Sequence, residues 1–497
     1  MAKRAATEQY VLLPARGLRA RATGGDPEAR EFLLSAEPSG RAQTLTLDGR
    51  RAPISVVDSI GPDGAKLVEA TPEAVLALRA VQPGLRLVPV VYYTTADVGP
   101  PSVIERPTVT KAAAGPATIT LTVVSQADKA PIAGAFVVAF TDFAAQRGAQ
   151  GVTDGKGQLK LQLGGSSVKL ERLYVYPVTA FWTLLKKGFT VSSGTQVALR
   201  PLDLGYEDAL RHFYGRPADS VGKGVTVGVI DTGVAKHPDL AIAGGANTVP
   251  GEEPGDFGDN GQGHGTHVAG IVAARGQPPK GIRGVAPGVT LRAYRVFGKG
   301  SKSASSFAIA KAIDQAVADR CDLLNMSLGG GAPDEVLRAA VDDARAGGSV
   351  CIIAAGNADR SDVSFPANLD SAVAVSAMGR KGTFPAGVAE ADDVAPPYGT
   401  DKKDFIASFS NVGPAIDLTG PGVAIMSTYP NGYAEISGTS MACPAVTGAA
   451  ARVLTPNILR KKRNAARSAA IVKALLASAK SLGFQPPFEG HGLPEPG

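Results

Sequence analysis

A short apolar run ends in an acid and a turn glycine at Val225-Thr226-Val227-Gly228-Val229-Ile230-Asp231-Thr232-Gly233. Three further apolar runs follow it along the chain: Leu291 to Val296, Leu323 to Leu328 and Val350 to Ala355. Continuous apolar runs of this length predict strands that are buried on both faces of a sheet. Between them lie apolar residues with helical spacing, at Ile309, Ile313 and Val317 and from Val336 to Ala344. Strand, helix and strand in alternation predict an α/β domain with a parallel sheet and helices on both sides.

Two later segments place reactive side chains where helices are predicted to begin. Two histidines three residues apart lie in Gly263-His264-Gly265-Thr266-His267-Val268-Ala269-Gly270, and a serine lies among small residues in Ser437-Gly438-Thr439-Ser440-Met441-Ala442-Cys443-Pro444. Taken alone, each segment has an ordinary interpretation: Asp231 as a turn or cap residue, the histidine pair as half of a metal site. The histidine segment contains no glutamate, so a zinc site of the HExxH type is absent.

Together, the three segments supply the groups that nucleophilic catalysis requires. A serine hydroxyl is a poor nucleophile at neutral pH, so it needs a base within hydrogen-bond reach and an acid that holds this base in the right tautomer. Asp231, His264 and Ser440 provide these types at strand ends or helix starts, where open parallel sheets build their sites. The amide side chain of Asn357 ends another apolar strand, and together with the backbone N–H of Ser440 it could hold an oxyanion.

These motifs resemble those of the subtilisin family of serine proteases, and the resemblance runs from about residue 205 to 495. The matching segments are Asp231-Thr232-Gly233, His264 to Gly270, and Gly438-Thr439-Ser440-Met441-Ala442, in the family's order Asp, His, Ser. The resemblance implies a three-layer catalytic domain with a parallel sheet. It also implies a serine endopeptidase in which Asp231, His264 and Ser440 form a catalytic triad and Asn357 donates to the oxyanion.

The resemblance also implies a binding cleft for an extended peptide substrate. By resemblance, the substrate pairs with an edge strand, Ser327-Leu328-Gly329-Gly330, and faces Gly300-Ser301 on its other side. By resemblance, small residues also line the pocket for the residue before the cut, which leaves room for a large apolar side chain: Gly329, Gly356 and Ser364.

Four features depart from the family's pattern or lie beside its motifs. Residues 274–281 stand where many relatives carry a calcium loop, but they contain no carboxylate or asparagine, so we expect no metal site and no cofactor, although calcium stays possible. His267 is expected to pack within its helix, and His237 to order the turn after Asp231. The charged insertion 379–404 is expected to be a solvated loop, with a substrate-gating or docking loop as the alternative.

The length of 497 residues predicts about three domains, which we place at 1–105, 106–202 and 203–497. Strand-like runs in the first domain lie at Tyr10 to Pro14, Thr44 to Leu47, Ile54 to Val57, Lys66 to Glu69 and Leu87 to Tyr93. With two helices they predict a β-α-β-β-α-β, ferredoxin-like α+β fold, which resembles the family's inhibitory propeptide. This domain is therefore expected to act as an intramolecular inhibitor of a zymogen. Its cleavage could fall after Tyr92-Tyr93, in the linker to Pro107, or nowhere.

The second domain is predicted to be a small β-sandwich. Alternating residues from Thr118 to Val124 and a turn at Thr153-Asp154-Gly155-Lys156-Gly157 favour antiparallel strands. The turn and the following Gln158-Leu159 resemble transthyretin-like or carboxypeptidase-regulatory sandwiches. If the enzyme is instead a dedicated peptide-maturation protease, the sandwich would be its recognition module. A catalytically silent scaffold is the third interpretation.

Composition bounds the remaining possibilities. The net charge of +6 is small for this length, so charge does not suggest nucleic acid as a partner. No apolar run approaches the roughly 18 residues that cross a bilayer, and the N-terminus shows no export signal. The three cysteines, Cys321, Cys351 and Cys443, lack CxxC spacing and predict reduced thiols. We therefore expect a monomeric cytoplasmic protein that acts on protein or peptide substrates without contacting membranes, although secretion by another route stays open.

Overall fold

The computed structural model describes residues 7–20, 26–36, 38, 43–47, 50–104 and 118–495. The predicted domain boundary at residues 105 and 106 and the linker around Pro107 lie outside these ranges. Across the part of the chain that is described, none of the helices combines the length and apolarity needed to cross a membrane.

The first unit is built on an antiparallel sheet in the order β2-β3-β4-β1-β5. Its elements are β1 Glu8–Pro14, α1 Pro27–Ser35, β2 Gln43–Leu47, β3 Arg50–Ser59, β4 Lys66–Ala70, α2 Pro72–Val81, β5 Leu85–Pro89 and β6 Tyr92–Thr95. The α2 helix begins as its sequence indicates, because the Thr71 side chain accepts a hydrogen bond from the Ala74 amide and Pro72 is the first residue of the helix. Three strands separate the two helices, at the three runs predicted between Thr44 and Glu69, whereas the predicted β-α-β-β-α-β order has only two strands there. The run predicted from Leu87 to Tyr93 is divided, and β6 leaves this sheet.

The middle unit consists of two sheets that pack face to face. Its strands are β7 Thr118–Ser125, β8 Phe136–Asp142, β9 Arg147–Val152, β10 Gln158–Gln162, β11 Ser167–Tyr176, β12 Leu184–Ser192 and β13 Thr195–Leu199. One sheet has the order β10-β7-β13 and the other β12-β11-β8-β9. Inward-pointing residues of both sheets, such as Leu121, Val137 and Leu173, form one apolar core.

The third unit is a three-layer α/β domain, which confirms the α/β prediction. Its elements up to the middle of the sheet are α3 Ala209–Tyr214, β14 Thr226–Asp231, β15 Ile242–Asn247, α4 His264–Ala273, β16 Thr290–Arg295, β17 Ala304–Ser305, α5 Ser306–Ala318, β18 Leu323–Met326, β19 Leu328–Gly329, α6 Glu335–Ala346 and β20 Val350–Ala354. The remainder are β21 Ala372–Arg380, a 3-10 helix Ala389–Asp393, β22 Asp404–Ile406, β23 Leu418–Pro421, β24 Ile425–Tyr429, β25 Gly432–Ile436, α7 Thr439–Val453, α8 Pro456–Leu459, α9 Ala465–Ala477, β26 Ala479–Lys480, α10 Pro486–Glu489 and β27 Leu493–Pro494.

The main sheet has the order β15-β16-β14-β18-β20-β21-β22, with β23 also paired to β21. All these pairings are parallel except that of β22 with β21. Successive side chains of β14 point to opposite faces, so Val229 joins the core under α4 and α7 while Ile230 joins the core under α5 and α6. Burial on both faces explains why these strands are continuously apolar.

The first unit lies against helices α5 and α6 of the α/β domain. Val11, Leu13 and Leu67 of its sheet share a core with the apolar residues of those helices. Ion pairs surround this contact: Arg19 with Asp314 at 2.7 Å, Lys311 with Asp58 at 2.6 Å and Arg86 with Glu335 at 2.7 Å. The apolar contact supplies most of the attraction, because partly exposed ion pairs contribute little individually.

The sandwich is anchored in the α/β domain by one tryptophan and by the insertion. Trp182 is 1% exposed and packs in the core of that domain, with its ring 5.4 Å from that of Tyr206. The 3-10 helix of the insertion lies against β11 and β12, where Asp392 binds Arg172 at 2.7 Å and Lys187 at 2.8 Å. The expectation of a solvated loop for residues 379–404 is therefore wrong, because the insertion forms the contact surface for the sandwich.

Three acidic side chains lie where the sandwich meets this insertion: Glu390 is buried, and Asp393 and Glu435 are half-buried. Burial raises the pKa of Glu390, and it raises the pKa values of Asp393 and Glu435 well above their usual range, with the charges of neighbouring acids adding to the effect. The Thr183 hydroxyl donates to Glu390. A carboxyl whose pKa is raised by folding stabilises the protein fully below its unfolded pKa, and that contribution is lost as the pH rises through the folded value.

We therefore expect Glu435→Gln to raise the Tm at pH 8 by about 2 °C or more, because the amide needs no proton to stay neutral. At pH 4 the carboxyl is already protonated, so the variant should melt like the parent. Thermal denaturation of the full chain and of the variant at the two pH values measures this. Glu253→Gln, at an exposed position, is the matched control. Equal destabilisation by Glu435→Gln at both pH values would contradict the expectation.

Candidate functional site

Asp231 and His264 meet at the end of the central strand. Asp231 closes β14, and His264 is the first residue of α4, with its Nδ1 2.7 Å from Asp231 Oδ1. Both side chains are buried. The helix start is held by Thr232, whose hydroxyl accepts the Gly265 amide at 2.9 Å. The strand end and the helix start thus fix the imidazole beside the acid.

The charges around His264 favour its protonated form. Burial alone would lower its pKa, but the charge and hydrogen bond of Asp231, with smaller contributions from Asp97 and Asp259, raise the pKa above the usual value. The sequence interpretation did not include Asp259. Its carboxylate accepts the amides of Gly261 and Gly263, both at 2.8 Å, and so shapes the turn that leads into α4.

Ser440 is the second residue of helix α7 and lies close to the edge strand β19. Its Oγ donates to the carbonyl of Ser327 at 3.1 Å. The Nε2 of His264 is buried and has no hydrogen-bond partner among the described residues. A rotation of the serine side chain would therefore be needed before Oγ could give its proton to Nε2.

One carbonyl oxygen receives two donors beside Ser440. The Ala96 oxygen accepts the Ser440 backbone N–H at 2.9 Å and the Asn357 side-chain amide at 2.6 Å. The other amide atom of Asn357, Oδ1, accepts the N–H and the hydroxyl of Thr439 at 2.9 and 2.8 Å, which orients the donor. Position 438 must be glycine, because its φ is +154° and a Cβ there would lie 2.6 Å from the Ala96 oxygen.

The chain around Ala96 lies extended between two short strands. Strand β6 pairs antiparallel with β19, matching Thr95 to Leu328 and Thr94 to Gly329. The Ala96 amide donates to Ser327 at 3.1 Å. Gly330 follows with a φ of +83°, and a Cβ there would lie 3.9 Å from the Thr94 hydroxyl. The structure thus brings the four residues Ser327 to Gly330 beside an extended segment.

The strand that faces this edge differs from the predicted one. β6 pairs on its other side with β17, matching Tyr93 to Ala304 and Tyr92 to Ser305. Gly300 and Ser301 lie in the preceding turn. The Ser301 amide donates to Gly298, and its carbonyl accepts from Asn260 at 3.0 Å, so its backbone groups are already used. Ala304 and Ser305, four residues further along the chain than Gly300 and Ser301, thus form the strand that faces β19 across β6.

The small residues predicted for the pocket lie together. A Cβ at Gly356 would be 2.5 Å from the Ser364 hydroxyl, and one at Gly329 would be 3.9 Å from the Ser364 Cβ. The sequence interpretation missed Asn411, which lies behind them. Its amide donates to Ser364 at 2.9 Å, and its Oδ1 accepts the Ala358 N–H at 2.7 Å, next to Asn357. Nothing in the local sequence of Asn411 marks this role.

Two other histidines and the cysteine near Ser440 have structural contacts within the α/β domain. His267 Nε2 lies 3.1 Å from the carbonyl of Ile425, and burial lowers the pKa of this histidine to about 3. His237 lies between the Gly432 carbonyl, 3.0 Å from its Nε2, and the Asp239 amide, which donates to its Nδ1. Cys443 is fully buried, and burial raises the pKa of its thiol to about 12.

The segment that was predicted to bind no calcium packs around Asp239. This carboxylate accepts the Ile282 amide at 2.8 Å and the Tyr433 hydroxyl at 3.0 Å. Within the described ranges, no three metal-ligating side chains come close enough together to hold an ion. The absence of a calcium requirement stays a prediction.

Comparison with known proteins places this site in a family. The model of the subtilase family matches residues 222–491, just over half of the chain. Subtilisin BL of Lederbergia lenta is 40% identical over 237 residues, which span 48% of this chain and 78% of the relative. Subtilisin DY of Bacillus licheniformis is 42% identical over 240 residues, spanning 47% and 78%. A thermostable alkaline protease of Halalkalibacterium halodurans is 38% identical over 250 residues, spanning 49% and 62%.

Proposed function

Because the chain belongs to the subtilase family and is a serine-type endopeptidase of protein or peptide substrates, we propose that Asp231, His264 and Ser440 carry its reaction. Asn357 and the Ser440 backbone amide hold the oxyanion. The enzyme is made as a self-inhibited precursor, and the first unit is the inhibitor. The observation that carries the proposal is the Ala96 carbonyl, which accepts both donors at 2.9 and 2.6 Å next to the serine.

The mechanism follows from these positions. The Ser440 hydroxyl turns from Ser327 to His264, gives its proton to Nε2 and attacks the substrate carbonyl carbon. The oxyanion that forms is stabilised by Asn357 and the Ser440 amide. His264 then protonates the leaving amine and the carbon–nitrogen bond breaks, which leaves an acyl-enzyme. Water attacks the ester, with His264 again as the base, and restores the serine.

The bond that occupies the cleft is Ala96–Asp97. The Ala96 carbonyl lies between the oxyanion donors, and the Asp97 carboxylate is 4.0 Å from His264 Nε2. Beyond this bond, Val98 donates its amide to Ser437 at 3.0 Å. We therefore assign the processing site to this bond, three residues after Tyr93. The enzyme that results begins at Asp97 and keeps the sandwich, which Trp182 and the insertion hold to the α/β domain.

Mass spectrometry of the purified full chain tests this proposal. The wild type should yield a species that begins at Asp97, and Ser440→Ala should keep the intact mass. A fluorophosphonate probe should label the wild type at Ser440. A cleaved Ser440→Ala chain, or a wild type that neither processes nor reacts with the probe, would contradict the proposal.

Asp97 gives the reaction a predicted pH dependence. Only the neutral imidazole can accept the serine proton, so a higher His264 pKa lowers the rate on the acidic side. Asp97 is one of the charges that raise this pKa. In a peptide of residues 90–101, Asp97→Asn should therefore move the acidic limb of kcat to lower pH.

The pH profile of kcat for the two peptides, cleaved by the purified enzyme, checks this. Thr95→Val is the control, because it removes the 2.5 Å hydrogen bond from Thr95 to Asp97 and keeps the charge. The acidic limb of kcat for the Thr95→Val peptide should stay near that for the unchanged peptide. If the acidic limb of kcat for the Asp97→Asn peptide coincides with that for the unchanged peptide, Asp97 does not act on His264.

A further inference from the structure

We propose that Asp334 makes this enzyme select substrates that carry tyrosine four residues before the cleaved bond, counting the residue at the cut as the first. The inference rests on the proposed function, because it takes Ala96–Asp97 as the bond in the cleft. Tyr93 then stands in the fourth position. Its side chain is fully buried in the α/β domain, whereas the neighbouring Tyr92 is 55% exposed.

The pocket around Tyr93 is a narrow slot with a polar end. The ring lies 6.2 Å from that of Phe365. On another side, a Cβ at Gly331 would come within 2.4 Å of the tyrosine ring, so only glycine leaves room for it. At the end of the slot the phenol oxygen is 2.6 Å from Asp334 Oδ2 and 2.9 Å from the carbonyl of Ala332. The slot therefore fits a flat side chain that ends in a donor.

The position of the Asp334 side chain is fixed by the α/β domain itself. Asp334 caps helix α6, and its Oδ1 accepts the amides of Val336 and Leu337 at 2.6 and 3.1 Å. The cap leaves Oδ2 directed at the phenol. Because the helix holds this orientation, the acceptor is in place before a substrate arrives, and its alignment costs little on binding.

The chemistry of the slot separates tyrosine from similar residues. Phenylalanine would fill the same space but would bury the carboxylate oxygen without a donor, and a buried polar group that loses its partner costs more than the bond itself contributes. Leucine lacks both the shape and the donor. Lysine carries a donor, but it lacks the flat ring that Gly331 and Phe365 accommodate. Asp334 is thus a specificity-determining residue for this enzyme.

Peptides of residues 90–101 test the inference. The purified enzyme, after self-processing and active-site titration with a fluorophosphonate, is given the unchanged peptide and its Tyr93→Phe, Tyr93→Leu and Tyr93→Lys forms. The unchanged peptide should have a kcat/KM about ten- to a hundred-fold above that of Tyr93→Phe. Tyr92→Phe, which removes an exposed hydroxyl, is the matched control and should cost nothing measurable.

Two enzyme variants assign the effect to the slot. Asp334→Ser keeps a helix-capping oxygen but removes the carboxylate oxygen that faces the phenol. The Ala332 carbonyl remains as an acceptor, so the tyrosine-to-phenylalanine ratio of this variant should fall several-fold. Gly331→Ala should reduce cleavage of the tyrosine and phenylalanine peptides relative to the leucine peptide, because its Cβ would meet the ring. This variant tests the slot if Asp334→Ser does not fold.

Three results overturn the inference. They are equal cleavage of all four peptides, a preference for lysine or leucine, and a ratio that Asp334→Ser leaves unchanged. An enzyme that reacts with the fluorophosphonate but shows no tyrosine preference overturns the inference alone. An enzyme that cleaves no peptide and does not react with the probe overturns the proposed function, and the inference with it.

Discussion

Ser440→Ala is expected to lower kcat for peptide hydrolysis by about 10⁶, a magnitude measured on subtilisin, a member of the same family, and carried over here. The loss follows from the proposed mechanism, in which the Ser440 hydroxyl is the nucleophile, while its backbone N–H at the start of helix α7 donates to the Ala96 carbonyl. Only the hydroxyl is removed by alanine. Residual catalysis by the oxyanion donors and by substrate binding should therefore remain above the rate in water.

Initial rates on the peptide of residues 90–101 measure this loss. Because the variant is not expected to process itself, a trace of tagged wild-type enzyme first cleaves off its first unit, and the tagged enzyme is then removed. Ser468→Ala is the matched control, because Ser468 is equally buried but bonds only to backbone carbonyls in helix α9 and at Arg345. This control should keep its activity. A Ser440→Ala preparation with more than a small fraction of wild-type activity would disprove the assignment of the nucleophile.

Asn357→Ala is expected to lower kcat by about 10² to 10³, a magnitude that again was measured on subtilisin and is carried over to this relative. The side-chain amide is 2.6 Å from the carbonyl in the cleft. Its contribution grows as negative charge develops on that oxygen. KM should therefore change little, since the interaction strengthens mainly in the transition state.

Steady-state kinetics on the same peptide separate this role from a structural one. Asn357 also orients Thr439, so Thr439→Val is the control for disturbed positioning. It removes the hydroxyl, and with it the bond to Asn357 Oδ1 and the bond from the Gly356 amide, but it keeps the bond from the Thr439 N–H to Asn357 Oδ1. It should cost much less than Asn357→Ala. If Asn357→Ala raised KM and left kcat unchanged, Asn357 would bind the substrate without stabilising the oxyanion.

The positions of Asp231, His264 and Ser440 could be predicted because the three segments that hold them, each ambiguous alone, together supply an acid, a base and a hydroxyl. An apolar strand places an acid at its end, and small residues surround the serine and the histidine so that helices can begin there. Sheet topology then brings the three together without further information. The α/β class was predictable for the same reason, since burial on both faces requires continuous apolar runs.

The features that the sequence did not reveal depend on neighbours distant along the chain. Asn411 stands 47 positions from Ser364, and Asp334 is 241 positions from Tyr93. The insertion 379–404 looks like a solvated loop because Asp392 and Glu390 find their partners on the sandwich, about 200 residues earlier in the chain. The facing strand at Ala304 and Ser305 was not predicted, because two pairing residues are too few to form a strand pattern.

The brevity of β17 and β19 has a consequence for association between molecules. Unpaired strand edges invite other chains to add to a sheet, and short edge strands are one way in which proteins limit this. Each of these strands spans two residues and is covered by β6 in the intact chain. The intact chain therefore presents neither strand edge to its neighbours. In the proposed enzyme without its first unit, both edges would be open, but each offers only two residues for pairing, so a bound segment would need the slot beside them as well.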